Sequence, residues 1–433
     1  MNKTDQQILK IALPAIVTNI TVPLLGLVDT AIVGHMGAPA YIGAVAVGSM
    51  IFNLVYWVFG FLRMGTSGMT AQARGRRDLT DVVRLLVRSA FVSLAVALIL
   101  IVLQVPLCEL MLQLIGPTPD VRPLAATYFY MVVWGAPASL GLFALTGWLI
   151  GMQNTRLPMF ISILQNVVNI LISLTLVYGL DMKIEGVALG TVIAQYAGLL
   201  TGIALLWRYY RRLWRERAVD GIFLRSEMMR FFRVNRDIFL RTIFLVAVNL
   251  YFTSAGARQG AVILAVNTLL MQLYLLFSYV LDGFAYAGEA LGGKYWGARN
   301  KPAFRTTVNR LFGWGAFMTI LFTTVYVAGG MPFLRLLTDE PLVVDASHDY
   351  VWWAYLIPLA GMAAFIWDGI FIGITHTRGM LQSSFIAAVA FFLGVIFLME
   401  PMGNHGLWLS MLLFLAMRGI VQTLIYVCNQ VAK

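Results

Sequence analysis

The chain has 433 residues, of which 60% are hydrophobic and 12% charged. Soluble domains carry roughly 25% charged residues, so this composition excludes a string of soluble domains and points to a polytopic membrane protein. The net charge of +11, two cysteines in apolar runs (Cys108, Cys428) and four scattered histidines (His35, His348, His376, His405) give no disulfide framework and no metal-ligand spacing.

Twelve long apolar runs follow one another. The first, 8–35, is too long for the apolar core of a signal peptide and has no small-residue cleavage site behind it, so it reads as a retained spanning helix. It contains an acid, Asp29, in a stretch that is otherwise apolar from Ile11 to Met36. A charge at membrane depth costs at least ~2.5–3.5 kcal/mol on insertion scales, so such a residue is usually functional or paired. The runs 40–70, 82–113, 123–150, 157–180 and 185–207 complete a first set of six. The runs 234–255, 260–290, 303–330, 348–374, 380–399 and 406–430 form a second. Many exceed the ~20 residues that span a bilayer, which permits tilt or extension into water. The expected fold class is an all-α membrane protein with twelve transmembrane helices in two pseudo-symmetric lobes, 1–215 and 216–433.

Basic residues set the orientation. With the N-terminus inside, the inner segments hold 22 Lys and Arg and the outer ones four: Arg122, Lys183, Arg258 and Arg335. This bias places both termini, Lys433 included, in the cytoplasm. The charge is thus a topology signal, and nucleic-acid binding has little support. The segment 208–236, with nine Arg, joins the lobes. It reads equally as an anchor on the anionic inner leaflet or as a solvated topogenic loop.

The halves repeat. Gly147, Ile150, Gly151, Thr155 and Arg156 recur as Gly369, Ile372, Gly373, Thr377 and Arg378, all 222 residues later, and Gly75 and Arg77 recur as Gly297 and Arg299. Six helices per repeat is an even number, so both halves share one orientation. Parallel repeats of this kind are a transporter architecture.

The stretches ALPAIVTNITVPLLGLVDTAIVGHMG, GMTAQARG and DGFAYAGEALGGKYWGARN resemble the multidrug and toxic compound extrusion (MATE) family, most closely its DinF-type branch. The resemblance runs along essentially the whole chain. It implies export of organic, often cationic or amphipathic compounds, driven by inward H⁺ or Na⁺, with no cofactor. In several members a polar network in the N-lobe carries ion coupling. Its positions match Asp29, Asn169, Thr191 and Thr146 here. The family's second N-lobe acid is replaced by Ser173 in NILIS, so either Asp29 acts alone or coupling lies in the C-lobe.

The C-lobe is richer in acids. Asp282 and Glu289 are seven residues apart, two turns on one helical face about 10 Å apart. Asp368 occupies the repeat position of Thr146. The cations at similar depth are Arg63, Arg241 and Arg418, and buried charges must pair or lose their charge. Asp368 is expected to pair with Arg418, and Arg241 with its i−4 neighbour Asp237. Asp282, Glu289 and Asp368 are candidate ion-coupling or substrate residues; Glu289 alternatively snorkels or pairs with Arg63 or Arg241. Asp29 has no arginine on its own helix. It titrates among neutral groups, or it caps or kinks a helix already bent by Pro14 and Pro23. Trp134, Trp148, Trp352, Trp353 and Trp367 could line a cavity for flat cations or sit in interfacial belts. The Gly147/Gly151 and Gly369/Gly373 pairs read as helix-packing sites.

The expected function is a secondary-active exporter in the plasma (inner) membrane, acting as a monomer on small organic substrates among membrane lipids, with H⁺ favoured over Na⁺. A lipid-linked saccharide flippase of the same superfamily is the alternative, though its cavity is usually basic. No H-E-x-x-H, G-x-S-x-G or Walker A motif is present, which argues against an enzyme and against direct ATP use.

Overall fold

A computed structural model of the chain describes residues 2–34, 39–215, 220–338 and 340–431, with the side chains of 22, 24, 25, 27, 214, 215 and 429–431 left aside. The readings on His35 and Lys433 fall outside the described residues. Among these residues there is no strand, and twelve long helices run in sequence. They are α1 (Lys3–Gly34), α2 (Pro39–Gly75), α3 (Leu79–Val102), α4 (Val121–Gly151), α5 (Arg156–Gly179), α6 (Ile184–Arg215), α7 (Arg225–Arg258), α8 (Ala261–Gly297), α9 (Lys301–Leu337), α10 (Pro341–Gly373), α11 (Thr377–Met402) and α12 (Asn404–Val431). Each covers one expected apolar run. The third run is split: α3 stops at Val102, and a short helix, Gln104–Ile115, follows and ends on left-handed Gly116 (φ +64°). Helices α2 to α12 are long and apolar enough to cross a membrane. Large side chains such as Leu98, Phe160, Leu171, Leu200, Ile320 and Phe397 remain exposed. Lipid, not water, is the solvent suited to such faces.

The chain forms two compact units. One is Val17–Phe232; the other is Met1–Ile16 with Arg233–Lys433. In the first, Ile32, Ile51, Phe52, Phe129 and Val187 pack into a core that also encloses Cys108. In the second, the buried amides of Asn267 and Asn404 exchange two hydrogen bonds of 2.8 and 2.9 Å, fixing α8 to α12.

Internal duplication reaches the backbone. Arg77 and Arg299, non-glycine residues with φ of +63° and +54°, are 222 positions apart. So are Gln153 (φ +57°) and Thr375 (φ +52°). The N-caps of α3 and α9 correspond too: Asp78 accepts from Asp81 N at 2.9 Å and Asn300 from Ala303 N at 3.1 Å. A Cβ on Gly147 would strike the Arg63 carbonyl, and one on Gly369 the Ala285 carbonyl, at the same offset. Gly151 and Gly373 meet the Ser67 and Glu289 carbonyls at 2.6 and 2.7 Å from the same notional atom. These glycines let α4 lie on α2, and α10 on α8, at backbone contact, as the small-xxx-small pattern requires.

Candidate ion-coupling sites

In the unit Val17–Phe232, Asp29 of α1 is 3% exposed and within hydrogen-bond reach of the Thr191 hydroxyl on α6. Thr191 accepts from Asn169 Nδ2 on α5 at 3.1 Å and faces the Val187 carbonyl at 3.0 Å. The hydroxyl has a single proton. When that proton goes to Val187, a bond to Asp29 requires a proton on the acid; when it turns to Asp29, the acid accepts and needs no proton of its own. The contact therefore accommodates either charge state by exchanging donor and acceptor. Tyr128 of α4, buried against Thr191 and Ser49, completes the surround and was not expected from sequence. Helix α6 comes close to α5 because Gly190 leaves room for Ser173, whose hydroxyl oxygen a Cβ there would overlap. Asp29 Oδ1, Asn169 Oδ1 and Ser173 Oγ are buried without a hydrogen-bond partner among the described residues. Such orphaned oxygens are rare and call for a proton, a water or an ion. Thr146 is turned elsewhere: its hydroxyl donates to the Leu142 carbonyl of its own helix at 2.6 Å. Arg63 is half-buried on α2.

In the other unit, Asp368 of α10 is saturated. One carboxylate oxygen takes both Arg241 of α7 and Arg418 of α12, the latter at 2.5 Å. The other accepts from Gln422 Nε2 at 2.6 Å. Phe414 and Phe365 lie under the Arg418 guanidinium at 5.5 and 6.0 Å. The expected Asp368–Arg418 pair is present. The expected Arg241–Asp237 pair is not: Asp237 is held by Arg236 at 3.0 Å and by the Thr377 hydroxyl at 3.1 Å. With Asp237 so engaged, Arg241 turns to the deeper carboxylate. Gln422 also escaped sequence reading. It follows Arg418 by one turn on α12, a spacing that puts both on one face, but an uncharged amide gave no reason to single it out.

Helix α8 departs from the regular spacing. The π-helical turn Gly288–Gly292 widens it from the residue before Glu289 onward. Asp282 is half-buried, within electrostatic range of Arg241 and Tyr274. Glu289 is 1% exposed and does not snorkel. Trp148 is enclosed and donates to the Val82 carbonyl at 2.8 Å, Trp367 donates to Thr423 at 2.7 Å, and Trp134 and Trp352 are exposed. No cluster of three or more His, Cys, Asp or Glu able to hold a metal occurs among the described residues.

The MatE family model matches residues 14–175 and, a second time, 238–398. The chain belongs to the MATE family. The double match coincides with the two repeats. The MATE protein is 37% identical over 424 residues to DNA damage-inducible protein F of Escherichia coli (strain K12), covering 97% of this chain and 91% of that relative. It is 24% identical to the probable multidrug resistance protein NorM of Thermotoga maritima, covering 99% and 93%. Its fold matches the outward-facing structure of a multidrug resistance MATE family transporter with a TM-score of 0.88 at 17% identity, covering 100% and 97%. MATE proteins are multi-pass membrane transporters of small organic molecules. They work as single chains without a cofactor, and they are not enzymes.

Proposed function

We propose that this MATE protein is a secondary-active exporter of organic, often cationic or amphipathic compounds, coupled to inward H⁺ by alternating access, with Asp29 as the ion-carrying acid. The supporting observation is the contrast between the two buried aspartates. Asp368 is held ionised by two guanidiniums and an amide. Asp29 lies against the neutral Thr191 hydroxyl and, among the described residues, has no ion pair and one oxygen without a hydrogen-bond partner. A carrier must load and release its ion in each cycle, and a carboxylate fixed between two arginines is poorly suited to that. The orphaned oxygens of Asn169 and Ser173 also support a second reading, Na⁺ bound beside the same acid. Proteoliposomes decide between them: efflux of a fluorescent organic cation should follow an imposed ΔpH and ignore an imposed Na⁺ gradient. The reverse result replaces H⁺ with Na⁺.

The proposed setting is the inner (plasma) membrane, with both termini and the 208–236 segment cytoplasmic and the halves 1–215 and 216–433 serving as lobes. The loop 336–347 then faces outward. Ser347 already lies inside α10, buried and donating to the Val343 carbonyl, whereas Glu340, just before that helix, is exposed. Glu340→Cys should react with an impermeant maleimide on intact cells, while Cys428, exposed at the other end of the chain, should react only after permeabilisation. Labelling in the opposite order inverts the topology.

A further inference from the structure

Two ion pairs outside the candidate sites are copies of each other. Asp5 on the first turn of α1 pairs with Arg310 of α9 at 3.6 Å. Glu227 on the first turn of α7 pairs with Arg88 of α3 at 4.0 Å. Asp5 and Glu227 are 222 positions apart, and so are Arg88 and Arg310. This is the offset of the repeat, and the helices correspond as well: α1 to α7, α3 to α9.

Each pair holds a helix start that belongs, by compactness, with the other half's residues. Residues 1–16 of the first half group with Arg233–Lys433, and the first turns of α7 group with Val17–Phe232. The hold on α1 is broad. Asp5 also accepts from Trp314 Nε1 at 3.3 Å, Gln7 accepts from the Tyr295 hydroxyl at 3.0 Å, and Gly283 is close enough that a Cβ would meet the Ala12 carbonyl at 2.9 Å. The hold on α7 continues into the segment before it. Arg88 Nε and Nη2 donate to the Ile222 carbonyl at 3.0 and 2.9 Å, behind a turn at Gly221 (φ +81°), and Phe223 packs edge-on against Phe91.

We propose that Asp5–Arg310 and Glu227–Arg88 are a duplicated pair of clasps that stabilise one conformation of the transport cycle and release in the other. The proposal rests on the alternating-access reading above. Three features support a clasp over a permanent staple. In each pair one side chain is well exposed, Arg310 at 49% and Glu227 at 37%, so water can replace the partner when the pair opens. Partly exposed ion pairs are weak and reversible, unlike the closed Asp368 cage. And leading helices that pass from one unit to the other are where a change of conformation must be accommodated, so restraining both starts restrains the change itself.

The test uses the full chain with Cys428→Ser to remove the exposed thiol, Cys108 being buried. Spin labels go on the exposed positions Arg211→Cys and Lys301→Cys, one in each unit. Pulsed dipolar spectroscopy reads the distribution of conformers in lipid without needing transport, so a failed clasp is distinguishable from a failed export reading. Asp5→Asn keeps an acceptor for Trp314, and Glu227→Gln leaves Arg88 on Ile222, so both variants should fold. Each should deplete the parent's principal distance about two- to fivefold, in the same direction, with the double variant near the product; that is the range open to a partly exposed ion pair. An unchanged distribution in the double variant, or opposite shifts in the single ones, overturns the proposal.

Discussion

Asp29→Asn is expected to insert and fold at close to the parent yield and to lose ΔpH-driven efflux. Asparagine preserves the shape and the hydrogen bond to Thr191, since its amide can donate where a protonated acid would have done so. What it removes is a proton that can be exchanged. A proton crossing ~150 mV releases about 3.5 kcal/mol, enough to sustain a substrate gradient of a few hundredfold for a neutral compound. Without coupling, the steady-state ratio in proteoliposomes should collapse toward one. Substrate binding, measured by quenching of the fluorescent cation on purified protein, should survive within a few-fold, because no charge partner is stranded. Full ΔpH-driven accumulation by the variant would leave Asp29 with a packing role and move coupling to the acids of α8, Asp282 and Glu289.

The helices were legible because a bilayer imposes a crude rule: ~20 apolar residues per crossing, with every backbone group bonded internally. The duplication was legible for a sharper reason. The recurring glycines stand where a Cβ would overlap a neighbouring carbonyl, and the recurring loop residues occupy positive φ, so neither could drift without deforming the turn. Pairing was legible only in part. Counting depth along the helices put Asp368 and Arg418 together. For Arg241, four residues from Asp237 but 127 from Asp368, spacing favoured the wrong partner, because only tertiary structure reveals that Arg236 and Thr377 already engage Asp237. The π turn at Glu289 left no trace in the apolar period. Asp5 and Glu227 passed unnoticed because an acid in the first turn of a helix is ordinary. Their significance lies in a correspondence that shows only once both partners are located.

Asp368→Asn is expected to be the most damaging single change to stability. It removes the one carboxylate that Arg241 and Arg418 share and leaves two buried guanidiniums against an amide, while each already has an unbonded Nε. Breaking a buried pair by deleting one partner costs about 3–5 kcal/mol, and here one deletion strands two cations, so folded yield and the melting midpoint in detergent should both drop sharply. A two-residue repair, Asp368→Asn with Arg418→Gln, should recover only part of the loss, since Arg241 stays uncompensated. The triple change that adds Arg241→Gln replaces the whole charged cage with amides and should melt above both. If the double variant recovers as fully as the triple, Arg241 is satisfied by another group within its range, and Asp282, half-buried on α8, is the acid to test next. The same series separates stability from coupling. Since Asp368 is held ionised in the proposed mechanism, a folded triple variant should still respond to ΔpH, although its substrate preference can change with the loss of one net positive charge. Loss of the ΔpH response in a well-folded triple variant would place ion coupling in this cage and not at Asp29.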